Sequence, residues 1–570
     1  MKKKDEEYRR CAIYAVTGND EIVDGYKLKE LEELKKVSKF VLTVCSSNIP
    51  EKEEKKLRKY SNFVLKLKNN SDTQSAYLNA LLYLKLAPAF NFDQIVMMDD
   101  SVFGPVYPLY SVFNKMREKR EVDFWSITKR KDNFPDTYFI VLNSAILMDK
   151  YLCNDIKYCL KKPEPLTKFV NNLLKKYSYQ SVLEMEDLLS LSDCPFEELP
   201  YFLLKYKKCP FINEKHFYNG YKNVFKINFH DQVNKILPFL QEETDYNVEV
   251  IWKRILRVGN MADIKNQLNL NYVLSSVETK STSGNGQKIA LILHIYYEDL
   301  AKYCRSYIEN MPQDTDVYVT VPDEKKLEKV KEAFVGIEYK IEYRITGNIG
   351  RDVGPFIVGC KDIVDNYDLV CKVHDKRVYQ VKPMSIGESW SYKCFENLLK
   401  NKTFVNNVIE KFKTEPFLGL MMPPAPIHGP YYPTIGFGEW GVNYEIAKKV
   451  YKSLNLHVPI SEDKEPVAPL GSMFWFRTKA LKPLFAHEWK YEELPKEPIP
   501  VDQTILHAIE RIYPFCAQEA GFYSAWVMVD SYAKIELDNF NYMNRELQKK
   551  EFEMIGIQNF EDLLCKIKEF

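Results

Sequence analysis

The sequence predicts an α/β protein made of two tandem domains, each a mostly parallel sheet with crossover helices. Three observations carry this. Four short apolar runs rich in β-branched and aromatic residues occur near the start and recur in the same order past the midpoint. Helical patterns fall between the runs, and strands alternating with helices imply parallel pairing. The fourth run of each set ends in polar residues, Asp99 and Asp100 in the first and His374, Asp375 and Lys376 in the second. In open sheets ligands bind beyond the carboxyl ends of the strands, so chemistry is expected at these two ends.

In the first copy the strands are CAIYAV (11–16), FVLTVC (40–45), FVLKL (63–67) and FDQIVMMDD (92–100). In the second they are IALILHI (289–295), DVYVTV (316–321), IEYRI (341–345) and YDLVCKVHD (367–375). Each reads as a buried strand. Spacing between the copies is nearly constant: Ala12 and Ala290 stand 278 apart, Val41 and Val317 276, Asp93 and Asp368 275. Segments 24–38 and 296–311 follow the first strand of each copy and carry apolar residues at helical spacing. The third strands run into polar turns, NNSD (69–72) and GNIGRD (347–352), where Asp72 and Asp352 suit the N-cap of the helix that follows.

The clearest linker is SSVETKSTSGNGQK (275–288), preceded by a helical connector at 235–258. The expected boundaries are 1–272 for the first domain with its connector, 273–286 for the linker, 287–535 for the second domain and 536–570 for a helical tail. At 570 residues the chain is too long for one core, and 45% hydrophobic content excludes bulk disorder. A net charge of +1, from 80 basic and 79 acidic residues, argues against a nucleic-acid partner. Twelve cysteines without CxxC spacing, and no signal-peptide pattern, read as reduced thiols in the cytoplasm. No apolar run approaches the ~18 residues of a membrane span, so membrane contact is expected to be peripheral.

GNIGRDVGPF (347–356) concentrates ligand-binding residue types. Gly347 and Gly350 allow close backbone approach, with Asn348 between them; Arg351 can pair with a diphosphate, and Asp352 can accept from ribose or base. A purely structural turn is the alternative. The segment is neither GxGxxG nor a P-loop. Asp99 and Asp100 suit Mg or Mn holding a diphosphate, or one of them caps a helix. His374, Lys376 and Arg377 instead surround one acid with cations, which can neutralise a leaving diphosphate without metal. In GSMFWFR (471–477), Met473, Trp475 and Arg477 read as a sugar-facing wall or as a buried central strand. Asp502, at an expected helix start, suits a general base, a role worth roughly 10²–10⁴ in rate; N-capping and salt bridging compete. His507, Glu510 and Arg511 lie further along that helix, His507 and Arg511 on one face. Trp390 and the Pro-rich 421–433 segment read as loops over the site.

With these segments on the page, the chain resembles the rhamnan synthesis F family, rhamnosyltransferases of bacterial cell-wall and surface polysaccharide assembly. The resemblance runs through most of the chain: DDSVFGPVYPL (99–109), VDFWSIT (122–128) and YFIVLNSAIL (138–147), then LHIYYEDL (293–300), TGNIGRDVGPF, VHDKR, GESW, GSMFWFR and LHAIER (506–511). It implies transfer of L-rhamnose from dTDP-rhamnose to a lipid-linked glycan at the cytoplasmic face of the membrane. The order of strand, polar turn, helix and acidic strand end also resembles GT-A-like, Rossmann-like nucleotide-sugar domains. By that analogy Asp502 is the base, and one carboxylate opposite a departing diphosphate implies inversion. Three other readings stand beside this one: both halves catalytic, the first half with its acidic pair as a metal-dependent enzyme and the second half its scaffold, or a non-catalytic glycan-binding assembly factor.

Overall fold

The computed structural model of the chain describes residues 8–16, 22–67, 73–87, 91–119, 122–218, 233–279, 286–377, 385–425 and 440–555. Asp72 and its turn, the Pro-rich segment beyond 425, part of the expected linker and the end of the tail lie outside the described residues. The chain divides into two units, Met1–Ile255 and Leu256–Phe570.

In the first unit the strands are β1 (Arg10–Ala15), β2 (Phe40–Ser46), β3 (Phe63–Leu67), β4 (Gln94–Asp99), β5 (Val102–Phe103), β6 (Phe124–Ser126), β7 (Phe139–Asn143), β8 (Tyr179–Ser181) and β9 (Ile212–Asn213). Seven form one sheet in the order β3-β2-β1-β4-β7-β6-β8, and β5 pairs with β9. Among the described residues of the seven-stranded sheet only β7 runs antiparallel to its neighbours, and the separate pair β5–β9 is antiparallel as well. All of β1 is buried: Ala12 and Tyr14 join the core on one face, Cys11, Ile13 and Ala15 that on the other. A strand covered on both faces needs apolar residues at every position, which is why these strands are legible as continuous runs.

In the second unit the strands are β10 (Asn271–Leu274), β11 (Ile289–His294), β12 (Asp316–Val321), β13 (Ile341–Ile345), β14 (Leu369–His374), β15 (Leu418–Met422), β16 (Phe474–Arg477) and β17 (Tyr523–Val529), in the order β10-β17-β15-β16-β14-β11-β12-β13. Only β16 runs antiparallel to its neighbours, β14 and β15. Element for element this repeats the first sheet, with β16 in the place of β7 and β10 added at the edge. The two tandem α/β domains with mostly parallel sheets are therefore what the chain forms.

Three expected boundaries shift. The linker was to begin at 273, but β10 pairs in parallel with β17, Tyr272 opposite Val527. NYVL is too short and too half-exposed to be seen as a strand without its partner. The helix Met261–Gln267 also belongs to the second unit, where Gln518 Nε2 donates to the carbonyls of Leu256 and Gly259, both at 2.7 Å. The tail was to begin at 536, but one helix, Asp530–Ile555, runs across that point.

The expected wall of Met473, Trp475 and Arg477 is core. Met473 and Trp475 are buried, and Trp475 Nε1 donates to Leu398 O at 3.0 Å. Because β16 runs against its neighbours, only its beginning reaches the carboxyl edge of the sheet. Arg477 pairs in register with Leu369, at the opposite edge, and its guanidinium donates to the carbonyls of Leu418 and Phe412. Trp390 lies in the helix Ser385–Leu399 rather than in a loop, and Met421 and Met422 are in β15. Trp475→Ala is expected to cost about 3–5 kcal/mol in urea denaturation, as a large core truncation does, while ligand affinity of the folded fraction stays unchanged.

Candidate active site

β11 and β14 lie side by side, with His294 opposite His374 in register at the carboxyl edge. Beyond this edge opens a cavity of about 1200 Å³, lined entirely by residues of the second unit. Of the residues singled out in the sequence, Asn348, Arg351, Asp352, His374, Lys376 and Arg377 line it. Trp390, Asp502, His507, Glu510 and Arg511 line it as well.

Asp352 lines the cavity and is also engaged from within the protein. Lys372, on β14 and buried, places Nζ 2.7 Å from Asp352 Oδ2, 2.6 Å from Ser472 O and 2.9 Å from Ser472 Oγ. An ammonium has three protons, and all three are used. Burial alone would raise the Asp352 carboxyl, but His374, Lys372 and Lys376 hold it well below the usual carboxylate range. Asp352 precedes the helix Val353–Ile357 without a side-chain cap bond, so the expected capping role is replaced by this ion pair.

His374 ties the same region together. Its Nδ1 lies 2.6 Å from Asp375 O and its Nε2 2.8 Å from Gly471 O. Two carbonyls favour a doubly protonated ring, whereas burial, joined by Lys372 and Lys376 against the pull of Asp352, pushes the pKa down to about 4. Desolvating a second cation beside Lys372 costs several kcal/mol and one hydrogen bond returns about 1, so the ring is neutral at pH 7. Gly471, at φ 101°, is gripped from both sides, its N–H donating to Glu510 Oε1 at 2.6 Å. A Cβ there would meet Trp390 Nε1 at 2.9 Å. Asp375 accepts the backbone N–H groups of Tyr296 and Tyr297, closing the loop after β11, and burial raises its carboxyl to about 7. His294 donates to or accepts from Thr320 Oγ1 through Nδ1 at 2.9 Å, and burial lowers it to about 3.

The groups left for a ligand are at the rim. Lys376 Nζ sits 3.9 Å over the Trp390 ring, without a carboxylate partner among the described residues. Arg377 pairs with Asp299 and lies 5.0 Å over the Tyr297 ring. Arg351, at φ 49°, pairs with Glu497 at 3.2 Å and donates to Ile499 O at 3.0 Å. Asp502, which also lines the cavity, is half exposed. The helix Ile505–Glu519 begins at its N-cap Thr504, so Asp502 lies in the loop before it and does not cap it. His507 Nδ1 lies 2.8 Å from Thr504 Oγ1 and 3.9 Å from Asp502 Oδ1, and buried Arg511 donates to His507 O at 3.0 Å. Gly347 and Gly350 do not line the cavity. Gly350, at φ 74°, donates to Pro495 O, and a Cβ there would meet Leu494 Cδ1 at 2.9 Å, so this glycine serves the turn.

The corresponding edge of the first unit has other chemistry. Asp100 is ion-paired with Lys27 at 2.7 Å, both buried, and Tyr26 Oη donates to Asp100 O at 2.8 Å. Asp99 Oδ1 accepts from Ser101, and burial raises its carboxyl to about 7. The metal expected at Asp99 and Asp100 is not what this geometry suits, because a resident ammonium already neutralises one carboxylate and the other is desolvated. At the second unit's edge Asp352 is likewise engaged by Lys372. The residues present do not fit a divalent cation at either edge, and among the described residues no group of three or more His, Cys, Asp or Glu is placed to hold one.

Sequence reading passed over His294, Lys372, Ser472, Tyr296, Tyr297 and Glu497. His294 had a signal, since it ends the first strand of its copy as His374 ends the fourth. Lys372 had none: inside an apolar strand a lysine gives no sign that its partner lies 20 positions earlier.

A family model described as Rhamnan synthesis protein F matches residues 41–522. Two curated relatives, both named uncharacterized protein WxcX, from Xanthomonas campestris pv. campestris strains B100 and ATCC 33913, are 26% identical over 235 residues. That is 40% of this chain, which spans 31% of the relatives' length. Among solved structures, the glycosyltransferase GlyE of Streptococcus pneumoniae TIGR4 matches at 11% identity and a TM-score of 0.24, over 72% of this chain and 99% of that one. The mannosyltransferase PcManGT of Pyrobaculum calidifontis, in complex with GDP-Man and Mn2+, matches at 12% and 0.20, over 31% and 55%. TM-scores of this size leave the fold to be read from the strand order itself.

Two outcomes are expected from this geometry. Lys372→Met breaks a buried pair and should lower unfolding free energy by about 3–5 kcal/mol, measured by urea denaturation. His294, near 6.5 when unfolded and about 3 when folded, contributes full stability above pH 6.5 and loses it as pH falls. Relative to wild type, His294→Gln should therefore gain stability between pH 6.5 and 4.5, by up to roughly 1.4 kcal/mol per unit. A pH-independent difference in Tm would contradict the neutral buried ring.

Proposed function

The chain belongs to the rhamnan synthesis protein F family, and on that premise we propose that its second unit is a glycosyltransferase domain. It moves a deoxyhexose, L-rhamnose from dTDP-rhamnose, onto a hydroxyl of a lipid-linked glycan in bacterial surface-polysaccharide synthesis. One observation carries the reading: one cavity beyond the carboxyl edge is lined both by the cations Lys376 and Arg377 and by a half-exposed carboxylate, Asp502. Among the described residues no helix is long and apolar enough to cross a membrane, so the reading places contact with the lipid-linked acceptor at the membrane surface.

Lys376, braced on Trp390, and Arg377 neutralise the leaving diphosphate where the negative charge grows, without metal. Arg351 adds to this by exchanging Glu497 for a phosphate, which a planar guanidinium binds in two-point fashion. Asp502 takes the acceptor proton as the hydroxyl oxygen bonds to the anomeric carbon. The bond from that carbon to the diphosphate breaks, its electron pair leaving with the phosphate oxygen. Attack opposite the leaving group inverts the anomeric centre. His374 and Asp352 take no proton; they hold the wall against which the donor lies.

With purified protein, dTDP-rhamnose and acceptor glycan, Asp502→Asn is expected to lower transfer roughly 10²–10⁴-fold and to leave dTDP binding unchanged. Lys376→Met should weaken dTDP binding in a thermal-shift titration, since bound ligand stabilises the folded state in proportion to affinity. Wild-type transfer by Asp502→Asn removes the base; a protein that binds no dTDP removes the donor.

A further inference from the structure

Asp502 lines the cavity, and the protein holds one of its carboxylate oxygens. Oδ1 accepts from Asn443 Nδ2 at 2.8 Å and from the Gln503 N–H at 2.9 Å, and among the described residues no donor reaches Oδ2. Gln503 stands at φ 61°, a left-handed turn in which its N–H points back to Oδ1. A half-exposed aspartate in a loop otherwise rotates freely between rotamers, so these two donors decide which oxygen is on offer.

Asn443 is fully buried and immediately precedes the helix Tyr444–Ser453, which packs on the helix after Asp502. Its backbone N–H donates to Trp440 O at 3.0 Å. Trp440 is itself anchored: its Nε1 donates to Lys464 O at 2.6 Å, and its ring stacks on Phe515 at 5.8 Å between centroids. The amide thus reaches Asp502 from a rigid frame 59 positions earlier in the chain. The same Nδ2 also donates to Trp440 O at 3.3 Å, so the amide links the start of this helix to the carboxylate.

We infer that Asn443 is the positioning residue of the base: by fixing Oδ1 it makes Oδ2 the atom that receives the acceptor's proton. This rests on the reading of Asp502 as base. As the acceptor oxygen bonds to the anomeric carbon, its proton passes to Oδ2, and the electrons of the broken sugar–phosphate bond leave with the diphosphate. Asn443 touches neither substrate. Its effect falls on kcat, because a reacting group displaced by about 1 Å costs on the order of 10²-fold.

The test compares Asn443→Leu, which keeps the volume and loses the donor, with Asn443→Ser, which leaves a void but keeps a hydroxyl donor. Transfer from dTDP-rhamnose should fall roughly 10²-fold in the leucine variant and less in the serine variant, with donor KM and dTDP affinity unchanged in both. In an Asp502→Asn background, Asn443→Leu should add no further loss, because both act through one group. A packing role reverses the order, leucine outperforming serine, and overturns the inference. So does an Asn443→Leu protein as active as wild type while Asp502→Asn is inactive. If Asp502→Asn itself is fully active, the base assignment falls and this inference falls with it, a distinguishable result.

Discussion

Lys372 is a single buried ammonium that joins three segments distant in sequence: β14, the turn before Asp352, and the turn that leads into β16. In water an ion pair of this kind contributes little. Away from water, removing one partner strands the other charge, at about 3–5 kcal/mol. That asymmetry fixes the floor of the cavity. Asp352 becomes a strut, Ser472 is held by both its carbonyl and its hydroxyl, and Gly471 is left where His374, Glu510 and Trp390 close on it.

With the floor fixed, the groups divide by what already satisfies them. Asp375 is spent on two backbone N–H groups, the single N–H of neutral His374 on one of the two carbonyls it faces, and Glu510 on Gly471. Lys376 and Asp502 keep capacity for a ligand, one as a cation on an aromatic face, the other with one oxygen unclaimed. A cation and a carboxylate lining one cavity suit a reaction in which an anion departs and a hydroxyl loses its proton.

The two units show how little a scaffold decides about chemistry. Both have the same strand order with one antiparallel strand in the same place. At the edge of the first, Lys27 is buried against Asp100; at the edge of the second, Lys372 is buried against Asp352. In each a lysine neutralises an acid that the sequence alone offers as a ligand. An acidic strand end therefore reads equally as metal site and as ion pair until the helix or strand facing it is known.

The sequence by itself determined the duplicated α/β plan, because strands buried on both faces must be apolar at every position and so stand out as runs. It also located the carboxyl ends, and it singled out Lys376, Arg377 and Asp502, which line the cavity. Only the tertiary structure decided which polar residues are free. Pairing across 20 residues bound Asp352 to Lys372, and the reversed direction of β16 carried Arg477 to the far edge of the sheet. β10 exists as a strand only because β17 offers it a ladder. Hydrophobic periodicity is local and survives in one dimension; the partner of a buried charge, or of an edge strand, is set by contacts between distant segments that no local pattern records.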